Sequence, residues 1–148
     1  MPTLPKLILY NLWANQSWLE HIATKYSDDE YLRKMISHIL LGEQAWFQRI
    51  SAQPVDKDVF RLLNNEQLRA LWKTHEKLYE EVLAGDLERV IAYTRFNGDQ
   101  FQSSISDILM HLVTHGSHHR GQLATHASKM KYESLNTDYI NYTRLNLK

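Results

Sequence analysis

The chain has 148 residues, with 17 basic and 17 acidic side chains, eight histidines and no cysteine. A chain of this length can bury one sizeable core but is too short for two ordinary domains, so we expect residues 1–148 to form a single domain. The balanced charge provides no global positive field for a phosphate backbone, which argues against a nucleic-acid partner.

The lack of cysteine excludes disulfides, a thiol nucleophile and a Cys-ligated zinc site. Any metal must therefore bind to His, Asp or Glu. No apolar run approaches the roughly 20 residues that span a bilayer, and the N-terminus lacks a basic region followed by a long apolar core. We therefore expect a cytoplasmic protein with no membrane partner.

The first predicted helix runs from Leu4 to about Thr24, where apolar residues recur at helical spacing. Three polar residues are predicted to mark its wetter side: Asn11, Asn15 and Gln16.

A second helix is predicted to end near Ile50. Ser27 and Glu30 have the spacing of a capping box, which would start this helix. Its apolar stripe is Leu32, Met35, Ile39, Trp46 and Ile50. His38 lies roughly 100° or more from the centre of that stripe, so periodicity alone predicts a surface residue. A helix in a bundle touches two neighbours, however, and a residue on the flank can face the second one.

The segment from Ser51 to Asn64 is long for a loop between adjacent antiparallel helices, and it indicates a crossover between parallel helices. Asn64 or Asn65 then caps a third predicted helix that ends at Gly85. His75 on this helix has no histidine neighbour and is interpreted as a solvated or core-edge side chain.

Two short elements flank the last predicted helix. Asn97-Gly98 lies between two alternating or β-branched runs, which predicts a small two-stranded hairpin. The aromatic tail from Asn136 to Leu145 is predicted to pack as a short turn or helix.

The last predicted helix, from Ser104 to about Met130, begins where Ser104 and Asp107 have the spacing of a capping box. It contains four histidines within nine residues. On a wheel with steps of roughly 100°, His115 and His119 lie among the apolar residues, whereas His118 lies outside that arc. Residues four apart stack one turn above the other, about 6 Å along the axis, so two imidazoles can converge on one ion. Two histidines at this spacing, considered alone, are more often bonded to carbonyls and water. Two histidines that point into the core, however, are costly to leave without a partner.

Arg120 and Gln122 follow this pair. Arg120 lies about 180° from His111 on the wheel and is expected to reach a carboxylate on a neighbouring helix or the tail. Gln122 lies close to His115 and is expected to bond a ligand imidazole. The chain contains neither the Glu-x-x-His pairs of di-iron bundles nor an HExxH motif, so both classes are excluded.

Three segments resemble the DinB-like metal-binding four-helix bundles, a family that includes bacterial thiol transferases: YNLWANQSWLEHI, HILLGEQAWFQRI and, most specifically, HLVTHGSHHRGQL. The resemblance covers nearly the whole chain. It implies an all-α four-helix bundle in up-down-down-up order, with the long crossover between helices 2 and 3. It also implies a divalent metal held by His38, His115 and His119, and leaves His111, His118 and His126 as supporting or structural residues.

A three-His site with an open position indicates catalysis rather than a closed structural role. The first hypothesis is therefore an enzyme that activates a low-molecular-weight thiol or water on one metal ion, with zinc or nickel favoured and iron or manganese accepted. The alternative is a non-catalytic metal- or ligand-binding protein associated with stress. No catalytic residue is identified, and Glu43 is a candidate base only by its position in the sequence. The abundance of aromatic residues, together with the resemblance, predicts a homodimer.

Overall fold

The computed structural model describes residues 3–145 and is mostly helical, with one small antiparallel hairpin. The elements in chain order are α1 (Leu4–Lys25), α2 (Glu30–Ile50), α3 (Asn65–Leu83), β1 (Val90–Thr94), β2 (Gln100–Ser104), α4 (Ile105–Lys129) and α5 (Tyr139–Leu145). No helix in this range is long and apolar enough to cross a membrane.

Side-chain caps start three of the four long helices. Asn64 forms a capping box with Gln67 at the start of α3, and the Ser104 hydroxyl accepts from the backbone N–H of Asp107 at the start of α4. Both caps were predicted. The predicted capping box at Ser27 is wrong, because the Asp29 side chain accepts from Leu32 N and starts α2 two residues later.

The long helices bury their apolar faces against one another. Both α1 and α2 pack against α3 and α4, with the closest association between α2 and α4. The core consists of two clusters, one around Trp18, Ile36 and Leu123 and the other around Ile8, Leu109 and Leu112. Burial of each such side chain contributes about 1.5–3 kcal/mol, which orders the helices that carry the histidines.

Residues 51–64 contain neither helix nor strand, yet they cover part of α2. Val59 and Leu63 are buried in the first core cluster, and the Ser37 hydroxyl accepts from Leu63 N. This linker is therefore packed against the helices rather than free in solvent.

The hairpin confirms the prediction from Asn97-Gly98. Val90 pairs with Ser104 at one end and Thr94 with Gln100 at the other. Gly98 has a φ of 91°, a conformation that favours glycine, and the Asn97 side chain accepts from Asp99 N.

The tail is also helical, as expected. Tyr10 and Trp18 of α1 both donate to Thr137, just before α5, and the ring of Tyr139 packs edge-on against that of Tyr10 at 5.3 Å. The tail thus fastens to the first helix.

Candidate metal centre

Three histidines from two helices meet at one point. His38 comes from α2, His115 and His119 come from α4, and each offers a ring nitrogen within 4.8 Å of the other two. The Nε2 atoms of His115 and His119 are 3.0 Å apart. We call this group the three-His cluster.

The position of His38 corrects the prediction from periodicity. Its side chain is only 8% exposed, because the linker between α2 and α3 folds over that flank of the helix. Val59 O accepts a 2.9 Å hydrogen bond from His38 Nδ1, and the ring of Phe60 stacks on the imidazole at 4.3 Å. The helical wheel could not show this, since the covering residues come from a segment without regular structure.

In two of the three rings, hydrogen bonds determine which nitrogen keeps its lone pair. A carbonyl can only accept, so His38 Nδ1 carries the proton and Nε2 keeps its lone pair. His119 Nδ1 lies 2.7 Å from Gln122 Oε1, which favours the same tautomer. Gln122 therefore bonds a ring of the cluster, as predicted. Such outer bonds are the ones that orient metal-ligating imidazoles.

Burial favours the neutral form of the two α4 imidazoles of the cluster. Burial lowers the pKa of His115 to about 4, and the neighbouring imidazoles add to the effect. Burial likewise lowers the pKa of His119, although the bond to Gln122 acts in the opposite direction. Neutral imidazole is the form that ligates a metal, so the donor set fits a divalent ion such as zinc or nickel.

The other histidines of α4 lie outside the cluster. His111 packs edge-on against Trp46 at 5.5 Å, and His118 is exposed. His126 bonds Asp29 Oδ2 at 2.9 Å, at the start of α2. None of the three contributes to the group of converging ring nitrogens that could hold a metal.

A cavity of about 770 Å³ adjoins the cluster, with His38 and His115 in its wall. Aromatic side chains from α2, the linker and the hairpin form much of the rest: Trp46, Phe60, Tyr93, Phe96 and Phe101. A volume in this range accepts a small organic molecule. The cluster therefore faces space in which a small molecule can lie.

A second polar group is buried between α1, α2, α3 and α4, and sequence reasoning missed it. Asn11 and Asn15, predicted on the wetter side of α1, are fully buried, and both side-chain oxygens accept from Arg120 Nη1. Arg120 thus reaches amides and not the predicted carboxylate. Asn15 in turn donates to Glu43, which also accepts from the Tyr79 hydroxyl. We call these five residues the core polar network.

Glu43 and His75 are both perturbed by burial. Burial raises the pKa of Glu43 to about 7, against the opposing effects of Tyr79, Arg120 and Asn15. His75 is 1% exposed, which overturns its assignment as a solvated or core-edge residue. Neither ring nitrogen has a hydrogen-bond partner among residues 3–145, and burial lowers its pKa to about 3. The absence of nearby histidines says nothing about burial. The available signal was helical spacing, because His75 lies three or four positions from apolar residues on both sides.

Comparison with known proteins identifies the family of the chain. The DinB family model matches residues 1–146, and the chain belongs to the DinB family. Comparison with curated proteins gives no match.

Proposed function

We propose that the protein is a divalent-metal-dependent enzyme that activates a low-molecular-weight thiol or a water for attack on a small electrophile. The observation that carries the proposal is the three-His cluster in the wall of a cavity of about 770 Å³. Three imidazoles leave at least one coordination position for a substrate, which is typical of catalytic sites.

One ion per chain would be held by His38, His115 and His119. When bound, it would lower the pKa of a coordinated thiol or water and so supply a nucleophile near neutral pH. Zinc and nickel are our first candidates, and iron and manganese also accept imidazole ligands.

The rest of the chain would orient these ligands and select the substrate. Val59 O and Gln122 Oε1 hold two of the rings so that Nε2 faces the cluster. Glu43 takes no direct part, because its carboxyl is 2% exposed and is bonded to Asn15 and Tyr79.

We further propose that α1 to α4 form a four-helix bundle in up-down-down-up order, with residues 51–64 as the crossover. The packing of both α1 and α2 against α3 and α4 supports this arrangement.

We also propose a cytoplasmic homodimer. The exposure of large apolar side chains such as Leu9, Phe60 and Ile140 supports self-association, and sedimentation at micromolar concentration tests it.

A non-catalytic ligand-binding or stress-associated protein is the second candidate. The burial of Glu43 favours this candidate, because the one general base that the sequence suggested does not line the cavity. Turnover of a chromogenic electrophile by the metal-loaded protein, with and without added thiol, distinguishes the two functions.

Metal binding is tested by elemental analysis of protein purified without chelator, followed by titration with zinc and nickel. We expect one equivalent per chain. His119→Ala should weaken binding far more than His118→Ala, because the ring of His118 is exposed and lies outside the cluster. A protein that takes up neither ion would overturn the proposal.

A further inference from the structure

Arg49, in the last turn of α2, lines the cavity beside the three-His cluster. Its guanidinium carbon lies 4.5 Å from the ring centroid of Trp46, 5.0 Å from that of Phe96 and 5.7 Å from that of Tyr93. Three aromatic rings from two separate segments thus hold one cation against the wall. Such contacts stabilise a guanidinium without using its hydrogen-bond donors.

Those donors lack an acceptor in the part of the chain that the structure describes. Arg49 Nε is buried and has no hydrogen-bond partner there, and no carboxylate of residues 3–145 lies within salt-bridge distance of Arg49. Arg61 and Arg69, by contrast, pair with Asp56 and Glu20. Because Arg49 lines the cavity and its guanidinium has no acceptor among the described residues, a ligand in the cavity that supplies an acceptor would gain a charged hydrogen bond.

The charges around the cavity also favour an anion. Arg95 lines it together with Arg49, and the acidic side chain in the wall is Asp107. The Asp107 carboxylate already accepts a 2.8 Å hydrogen bond from the Ser104 hydroxyl. The two guanidinium groups therefore give the cavity a positive charge that its own side chains do not fully neutralise.

We infer that Arg49 forms a carboxylate-binding subsite, and that the cavity takes a small molecule with one carboxylate and a flat apolar body. The planar fork of arginine matches the two oxygens of a carboxylate. The aromatic wall would contact the apolar body between Arg49 and the cluster. That the other end of this molecule points toward the three-His cluster rests on the proposed function. The carboxylate subsite at Arg49 does not depend on a metal.

The test uses phenylacetate and its neutral analogue phenylacetamide as probes, with binding measured calorimetrically on metal-free and on zinc-treated protein. We expect phenylacetate to bind about tenfold more tightly than the amide in both samples, as charged hydrogen bonds imply. It should also shift the NMR signal of Arg49 Nε–H in the wild-type protein. Arg49→Met should abolish the preference, Arg49→Lys should retain part of it, and Arg33→Met, on the same helix but outside the cavity, should leave it unchanged.

Metal-free protein separates this inference from the proposed function. A preference for phenylacetate that survives without metal supports the subsite, even if no metal binding is found. A preference seen only with zinc and unchanged in Arg49→Met would show that the carboxylate ligates the metal, and it would overturn the subsite alone. Equal affinities for the two probes, no saturable binding of phenylacetate, or no shift of the Arg49 signal would likewise overturn it.

Discussion

The three-His cluster and the core polar network both link α2 to α4, but their polar atoms have different kinds of partner. In the network, the oxygens of Asn11 and Asn15 accept from Arg120, and both oxygens of Glu43 accept from neighbours. In the cluster, ring nitrogens approach other ring nitrogens, with His115 and His119 only 3.0 Å apart. The network is completed by the protein itself, whereas the ring nitrogens of the cluster would be completed by the metal ion that we propose. On that proposal, polar side chains support the structure in one region and the chemistry in the other.

The largest expected effect is on the network. Arg120→Met removes the donor for two buried amide oxygens and should lower the free energy of unfolding by about 3–5 kcal/mol. The metal affinity of the folded variant should stay close to that of the wild type, because Arg120 does not contact the cluster. Urea denaturation of the metal-free protein and metal titration measure the two quantities. Lost metal binding with unchanged stability would reverse the roles assigned to the two regions.

Removal of the metal from the three-His cluster should lower the stability of the folded protein. An ion that binds only the folded chain stabilises it by about 2.7 kcal/mol when its free concentration is 100 times the dissociation constant. We therefore expect a chelator to lower the melting temperature of zinc-loaded protein at pH 7.5. His119→Ala provides the control and should melt at the same temperature with and without chelator. A wild-type melting temperature indifferent to chelator would contradict a metal role for the cluster.

Gln122→Ala should weaken metal binding by about tenfold, because His119 loses the bond that orients its ring. In the metal-free protein, its free energy of unfolding should change by less than about 0.5 kcal/mol. This is the opposite of the pattern expected for Arg120→Met. A large loss of stability with intact metal affinity would mean that Gln122 belongs to the scaffold.

The pH dependence of the free energy of unfolding should reveal the titration of the Glu43 carboxyl. Because burial raises its pKa from 4.5 to about 7, the folded protein retains a proton that the unfolded chain has released between these values. This group therefore destabilises the fold progressively as pH rises through that window, by up to about 1.4 kcal/mol per pH unit. His75, with its pKa lowered to about 3, contributes a slope of opposite sign from about pH 3 to 6.5.

Comparison of Glu43→Gln with the wild type isolates the titration of Glu43 together with its coupling to His75, whose Nδ1 lies 4.0 Å from Glu43 Oε1. The variant should gain stability relative to the wild type as pH rises from 4.5 to 7, and the difference should then level off. Urea denaturation at half-unit steps across this range measures it. A difference that does not vary with pH would show that Glu43 titrates as an ordinary carboxyl.

The smallest expected effect comes from His75, beside the network. Its ring nitrogens are buried without partners among residues 3–145, so His75→Leu should remove an unmet hydrogen-bonding cost. Imperfect packing against Phe47 would offset part of the gain, which leaves a net stabilisation of about 1 kcal/mol at pH 7. Thermal melts of the metal-free proteins measure this change. A destabilised variant would indicate that the imidazole has a buried partner such as water.

Local patterns predicted the parts of the molecule that local interactions determine. The helices followed from periodicity and from the caps at Asn64 and Ser104, and the hairpin followed from Asn97-Gly98. The convergence of His115 and His119 followed from their spacing on one helix. Each of these features depends on residues a few positions apart.

The failures of prediction share a different cause. His38 is covered by Val59 and Phe60 from an irregular linker, which no wheel represents. Asn11 and Asn15 looked solvated because their partner Arg120 is more than 100 residues away. A polar side chain in an amphipathic helix is consistent with either water or a distant partner, and only the packed structure distinguishes them.

The long span of the network has a consequence for the order of events during synthesis. Asn15 and Arg120 are separated by 105 residues, and Trp18 and Thr137 by 119. At roughly 5–20 residues per second, the ribosome adds the chain from Asn15 to Arg120 in about 5–20 s. Throughout that interval, the side-chain oxygens of Asn11 and Asn15 lack their partner Arg120, and the apolar face of α1 has no α4 to cover it. The first helix to emerge is therefore among the last to reach its final surroundings, and native folding of this chain belongs to the late stage of translation.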